Sequence, residues 1–243
     1  MRTIIIAVLL FFICVAAHGQ YNDTIQYYAG ATSTGTLNKT NSSTSYVLSN
    51  SVKLGIRKKE FGMNLNNSWL YGEQQRKLTN NDFYSTFDVN LYKTLPHFYY
   101  WGLANYTSNY SLKINNQYQG GVGVAYNLVD RKNAFLNVSD GLLYESSDIF
   151  LSDTIRDVYT TFRNSFRISF RFTIRELLVI SGMNFIQNSL SNSDDYIIKS
   201  NMALGFKVKK WLTISTTFAY NRFNRTQKET TLFTYGLALE QYF

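Results

Sequence analysis

The sequence predicts an all-β protein built as a single antiparallel transmembrane β-barrel of about twelve strands, with ten or fourteen as the alternatives. Three observations carry that prediction. Segments in which apolar and polar residues alternate recur along the chain from about residue 25 to its last residue. The connections between them fall into two sets, short and basic after every second strand, longer and rich in Asn, Ser, Thr and charge after the others. Aromatic residues make up 16% of the 243-residue chain, with 19 Tyr and 18 Phe against one Pro, a mixture suited to strands that carry interfacial aromatic girdles.

The N-terminal segment reads as an export signal. Arg2 precedes an apolar run from Ile4 to Val15, and Ala17-His18-Gly19 places small residues at the two positions a signal peptidase reads. Cleavage is expected after Gly19, giving a signal peptide over 1–19 and a barrel domain over 20–243. Cys14 could suggest lipidation, but Ile13 occupies the position where a small residue is needed. Removing the signal removes the only cysteine, so disulfides are unavailable to the mature chain. No later segment approaches the roughly 20 apolar residues of a spanning helix. A mature chain in a membrane must therefore cross it as a barrel.

Taken in order, the alternating segments lie at about 25–36, 45–57, 61–72, 82–93, 98–110, 117–129, 134–146, 158–173, 176–188, 195–208, 211–223 and 230–243. Each is long enough for the 9 to 11 residues that cross the hydrocarbon on a tilted strand. The second places Tyr46, Leu48, Val52, Leu54 and Ile56 on the lipid face and Ser49, Ser51, Lys53 and Arg57 inside. In the third, Phe61, Met63, Leu65, Trp69 and Tyr71 face out against Asn64, Asn66 and Ser68. The eighth sets Phe166, Ile168, Phe170, Phe172 and Ile174 opposite Arg163, Arg167 and Arg171. A lipid-facing arginine costs roughly 2–4 kcal/mol near the midplane, so the arginine face looks inward. In the tenth, Met202, Leu204, Phe206 and Val208 face out, with Lys199 and Lys207 inside.

Two segments need comment. In the seventh, strict alternation puts Asp140 on the lipid face, and a bulge at Ser139-Asp140-Gly141 is expected to turn it inward. The last strand carries Phe233, Tyr235, Leu237 and Leu239 on one face and ends in Phe243. This resembles the terminal signature of bacterial outer-membrane barrels. The resemblance implies an assembly signal formed by Tyr235, Leu237, Leu239 and Phe243, and barrel-assembly machinery as a partner. The expected location is the bacterial outer membrane, among its lipids and lipopolysaccharide, with both termini periplasmic.

The net charge of +8, or +7 without the signal, then belongs to rim and lumen, because an exported chain has no reason to meet nucleic acid. Catalysis finds little support. The one mature histidine, His97, follows Pro96 in a turn on the side opposite the outer rim where a lipid hydrolase would need its base, and no G-x-S-x-G occurs. A lipid-modifying hydrolase is kept as the alternative function. One His and no Cys leave no metal centre, and the acidic loop residues Asp148, Asp153, Asp157, Asp194 and Asp195 follow no calcium-loop spacing. No cofactor is expected.

Gly121 and Gly123 face inward; the preferred reading is relief of crowding in a narrow barrel, with room for bulky or long neighbours such as arginines from across the lumen as the alternative. The basic row Arg163, Arg167 and Arg171, with Lys53, Lys199 and Lys207, is the main functional feature. It could draw anions through a narrow pore. It could equally pair with inward carboxylates, for which Asp88, Asp140 and Glu240 are the candidates, and plug the barrel. Either way the expectation is a non-enzymatic envelope barrel, structural or a narrow channel with anion preference. The stretch from Phe98 to Leu128, with Gly121, Gly123 and Tyr126, followed by Leu136, Gly141 and Tyr144, resembles the salt-induced outer-membrane protein family of unknown function. That resemblance implies a secreted barrel and assigns no catalytic residue.

Overall fold

The structure, a computed structural model, describes residues 26–39, 44–95, 97–152, 155–209 and 211–242; side chains are described for all of these except 38–39, 93–95 and 240–242. Expectations for the signal segment and for Phe243 lie outside the described residues. Twelve strands follow one another: β1 (Tyr27–Lys39), β2 (Thr44–Arg57), β3 (Phe61–Gln74), β4 (Lys77–Leu95), β5 (Phe98–Asn109) and β6 (Ile114–Arg131). The second half continues with β7 (Ala134–Phe150), β8 (Arg156–Ile174), β9 (Leu178–Ser189), β10 (Tyr196–Lys207), β11 (Leu212–Phe223) and β12 (Lys228–Tyr242). Each pairs antiparallel with its sequence neighbours, and β1 pairs with β12 to close the barrel. The closing ladder covers seven register pairs, Tyr28↔Tyr242 to Thr34↔Gly236, whereas β1 and β2 share thirteen.

The end where β1 begins and β12 finishes, together with the turns after even strands, is the turn end; the other is the loop end. Strands extend further into the loop end than the alternation suggested. The expected link Glu73–Asn81 is mostly ladder, turned by Gln75 and Arg76 in the left-handed region at φ 53° and 62°. Likewise β7 and β8 continue in register to Phe150↔Arg156. Polar residues there keep the strand period because their inward neighbours are packed, so hydrophilic composition alone misjudged them as loop.

Alternation puts a broad apolar surface outside, including exposed Leu54, Phe87, Val122, Phe166, Leu204 and Leu237. Aromatic contacts band it near both ends: Trp69–Tyr71 and Tyr106–Tyr118 at 5.7 and 5.1 Å toward the loop end, Phe98–Tyr126 at 4.7 Å toward the turn end. Such girdles suit membrane interfaces. The expected bulge at Asp140 does not form. Register runs unshifted from Ser139↔Arg167 to Leu142↔Asn164, with 140 and 141 unpaired to β8, and Val124↔Asp140 stays in line on β6. Asp140 is therefore exposed on the outer face, where it accepts a 2.8 Å hydrogen bond from Asn164 Nδ2. Asn50, also outward, accepts one from Ser33 Oγ at 2.8 Å. Lateral pairing between adjacent strands reduces the cost of a polar group that faces lipid.

Candidate functional site

The lumen is divided, and the arginine row runs through the division. At the loop end Arg163 is fully buried. Its Nε and Nη2 donate to the two carboxylate oxygens of Glu145 on β7 at 2.7 and 2.8 Å. Nη2 also reaches Asp195 Oδ1 at 2.8 Å, and Nη1 the Asp195 carbonyl at 3.0 Å. Glu145 is equally buried and accepts further bonds from Tyr159 OH (2.8 Å), Ser147 Oγ (3.1 Å) and Gln119 Nε2 (2.6 Å). Gln119 continues to Gln187 Oε1 on β9 at 3.1 Å, and Arg225 binds Asp157 and Asp195 at 2.8 and 3.0 Å while its guanidinium lies 3.6 Å from the centre of the Tyr159 ring. The carboxylates of this buried network are spent on cations and donors. That satisfaction is what makes an ion pair in a narrow lumen tolerable.

Above the network sits an apolar lid of Leu112, Ile114, Ile149, Ile197 and Phe223, with Tyr159 packed against it. Leu112 belongs to the β5–β6 connection, and the short 3-10 turn Asn224–Thr226 lies between β11 and β12, six strands away around the ring of twelve. Thr226 Oγ1 donates to the Leu112 carbonyl at 3.1 Å, so opposite walls are joined across the mouth.

Arg167, one turn of the pattern deeper, has a different setting. Its Nε donates to Ser139 Oγ at 2.9 Å, and the guanidinium lies 5.9 Å from the Trp101 ring and 6.0 Å from Phe185. Trp101 is 6% exposed and fills the space the small residues leave: a Cβ added at Gly123 or Gly141 would come within 2.4 Å of Trp101 Cζ2. The cleared room in β6 is thus taken by Trp101 and, at Gly121, by Leu143, rather than by arginines from across the lumen. Lys199 crosses from β10 to β4, its Nζ 5.1 Å from the Tyr84 ring.

Arg171, deeper again, opens into a cavity of about 920 Å³ at the turn end. Of its seventeen described lining residues seven are Lys or Arg, and Asp130 is the one acid among them. Lys53 lines it too, while Lys207 is half-buried on the inward face of β10 nearby. The Nε of Arg171 is shielded and has no hydrogen-bond partner among the described residues. Ion pairs between described side chains all lie in the loop-end half, on Arg156, Arg163, Arg222 and Arg225.

The expected carboxylate partners fare differently. Asp88 is inward but is held by Asn64 Nδ2 and Asn90 Nδ2, both at 2.8 Å, and forms no ion pair with a described cation. Asp140, on the outer face, cannot serve the lumen. Glu240 stands opposite Gly30, which in turn stands opposite Lys53, and its side chain is outside the described set. The true partners of Arg163, Glu145 and Asp195, were missed. Strict alternation through β7 places Glu145 inward together with Ser139 and Ser147; the assumed bulge obscured that. Tyr235, Leu237 and Leu239 are exposed on the outer wall. His97 is exposed at the turn end, its ring edge-on to Tyr126 at 6.2 Å. Among the described residues no group of three His, Cys, Asp or Glu could hold a metal.

A family model described as protein of unknown function, DUF481, matches residues 32–240, and the chain belongs to that family. No curated protein matches it in sequence. Among solved structures, it is similar to the translocator domain of the autotransporter NalP from Neisseria meningitidis, at 9% identity and a TM-score of 0.50, over 98% of this chain and 93% of that one. It is also similar to the NanC porin, at 7% identity and a TM-score of 0.52, over 90% and 99% of the two chains. These likenesses establish the fold, that of outer-membrane β-barrels.

Proposed function

We propose that this protein is a non-enzymatic outer-membrane barrel, exported by cleavage after Gly19, with its turn end and both termini in the periplasm. It rests in a state closed toward the exterior, with an anion-accepting vestibule facing the periplasm. The observation that carries the reading is the contrast along one strand, β8: Arg163 is neutralised and buried, whereas Arg171 faces a cavity whose described lining holds seven cations and one acid. Fixed positive charge around a water-filled mouth raises the local concentration of anions and sets which ions pass. The outer apolar belt supports lipid and lipopolysaccharide as surroundings, and the exposed Tyr235, Leu237 and Leu239 support recognition of β12 by barrel-assembly machinery. Kinship with the salt-induced outer-membrane protein family belongs to the same proposal, resting on the spacing of Gly121, Gly123, Tyr126, Leu136, Gly141 and Tyr144.

Planar-bilayer recording tests it. The parent barrel is expected to be closed for most of the record, and Arg225→Ala, which removes two carboxylate contacts beside the lid, is expected to raise the open fraction with an anion-selective current. Cation-selective current, or folding to a soluble monomer without detergent, would reject the reading.

A further inference from the structure

We propose that the turn-end vestibule is a binding site for a linear acidic oligosaccharide, one chain carrying several carboxylates and entering from the turn end. This rests on the anion-accepting role above and adds the class of ligand. Three features of the cavity point to it.

The first is the arrangement of charge in two tiers. Lys58 and Lys59 in the β2–β3 turn and Arg131 and Lys132 beside the β6–β7 turn form a rim, while Arg171 lies inside on β8. Arg171 stands two residues in from Thr173, whose N–H bonds to the Asn133 carbonyl in the β6–β7 turn, which corresponds to roughly 7 Å of strand below that part of the rim at 3.3 Å per residue. A single small anion reaches one tier; a chain of sugar units reaches both. The second is an unspent donor beside an acid that is already occupied. Asp130 takes a 3.1 Å hydrogen bond from Asn127 Nδ2 rather than an ion pair with a described cation, and the shielded Nε of Arg171 lacks a partner among described residues. Repulsion among clustered cations is relieved by a polyanion more completely than by monovalent ions, whose binding releases less from each site. The third is the nature of the remaining lining. Gln26, Asn64, Asn66 and Asn133 supply amides that both donate to and accept from hydroxyls, and Phe135 supplies an apolar face for a sugar ring. Cations for carboxylates, amides for hydroxyls and an aromatic face together match an acidic saccharide better than an inorganic anion or an acidic peptide.

The experiment is isothermal titration of the full mature chain in nanodiscs with three probes: hexaglucuronate, glucuronate monomer and neutral maltohexaose. The hexamer is expected to bind at least about tenfold more tightly than the monomer, since linked groups engage both tiers at high effective concentration. Its affinity is expected to fall as salt rises through the range where the Debye length drops below ~10 Å. Maltohexaose is expected not to bind. Arg171→Gln and the double variant Lys58→Gln/Lys59→Gln are each expected to erase most of the chain-length advantage, with heat-modifiable gel migration confirming that the barrel is folded. Equal affinity for hexamer and monomer, abolished by the same variants, would overturn the oligosaccharide and leave the anion-accepting vestibule standing. Absence of binding by either acid would overturn both. Hexamer binding untouched by the variants would place it elsewhere and overturn the inference, as would equal binding of maltohexaose.

Discussion

The two halves of the lumen are built from the same strands and solve the problem of internal charge in opposite ways. Toward the loops, Arg163 sits in a complete set of donors and acceptors under an apolar lid. Toward the turns, Arg171 lines an open cavity, and its Nε has no hydrogen-bond partner among the described residues. Between them Arg167 lies against Trp101 and Phe185. A repeated residue at a repeated spacing therefore has three environments, and the difference comes from what the facing walls contribute. Position in a barrel decides whether an arginine is structural or available for ligand.

Substitutions along β8 break or sharpen this contrast. The largest effect is expected for Arg163→Leu, which leaves Glu145 buried without its cation; unfolding in urea from lipid vesicles should show a loss of roughly 3–5 kcal/mol. The double variant Arg163→Met/Glu145→Leu should recover much of it, because Asp195 retains Arg225 at 3.0 Å. A single variant as stable as the parent would mean the loop-end half is not a closed network. An intermediate effect of opposite sign is expected on the outer wall. Asp140→Leu removes a lipid-facing carboxylate and should stabilise the barrel by about 1 kcal/mol, below the cost of a midplane lysine or arginine. A loss of stability there would show that the Asn164 hydrogen bond outweighs the burial of charge in lipid. The smallest effect belongs to Arg171→Gln, whose stability should remain within about 0.5 kcal/mol of the parent. A cost approaching that of Arg163→Leu would erase the distinction between the halves.

The strands were legible because period-two alternation survives any tertiary context that keeps one face in lipid. β8 and β10 could be oriented from sequence because arginine and lysine have a single tolerable side. Glu145 and Asp195 were not legible as partners. Their pairing with Arg163 depends on which strand or loop lies level with it, and register across a barrel follows from the summed stagger of every ladder rather than from any one segment. Asp140 misled for a related reason: the cost of a carboxylate in lipid suggested a bulge, whereas a hydrogen bond from Asn164 on the next strand lets alternation continue. Trp101 was likewise invisible beside Gly123 and Gly141, since a glycine records that something approaches without recording what.

The short ladder between β1 and β12 has a consequence for the surrounding bilayer. Seven pairs amount to roughly 24 Å of strand, which a tilt of about 40° reduces to roughly 18 Å of depth, against an apolar band of about 25 Å on barrels of this kind. Past Thr34 and Gly236 the two strands part, and peptide groups without partners cannot stand in hydrocarbon without costing several kcal/mol each. Acyl chains beside this flank would shorten or splay to bring head-group water down to the parting. The cylinder thus has a short-seamed side, at which a surrounding bilayer is expected to be locally compressed.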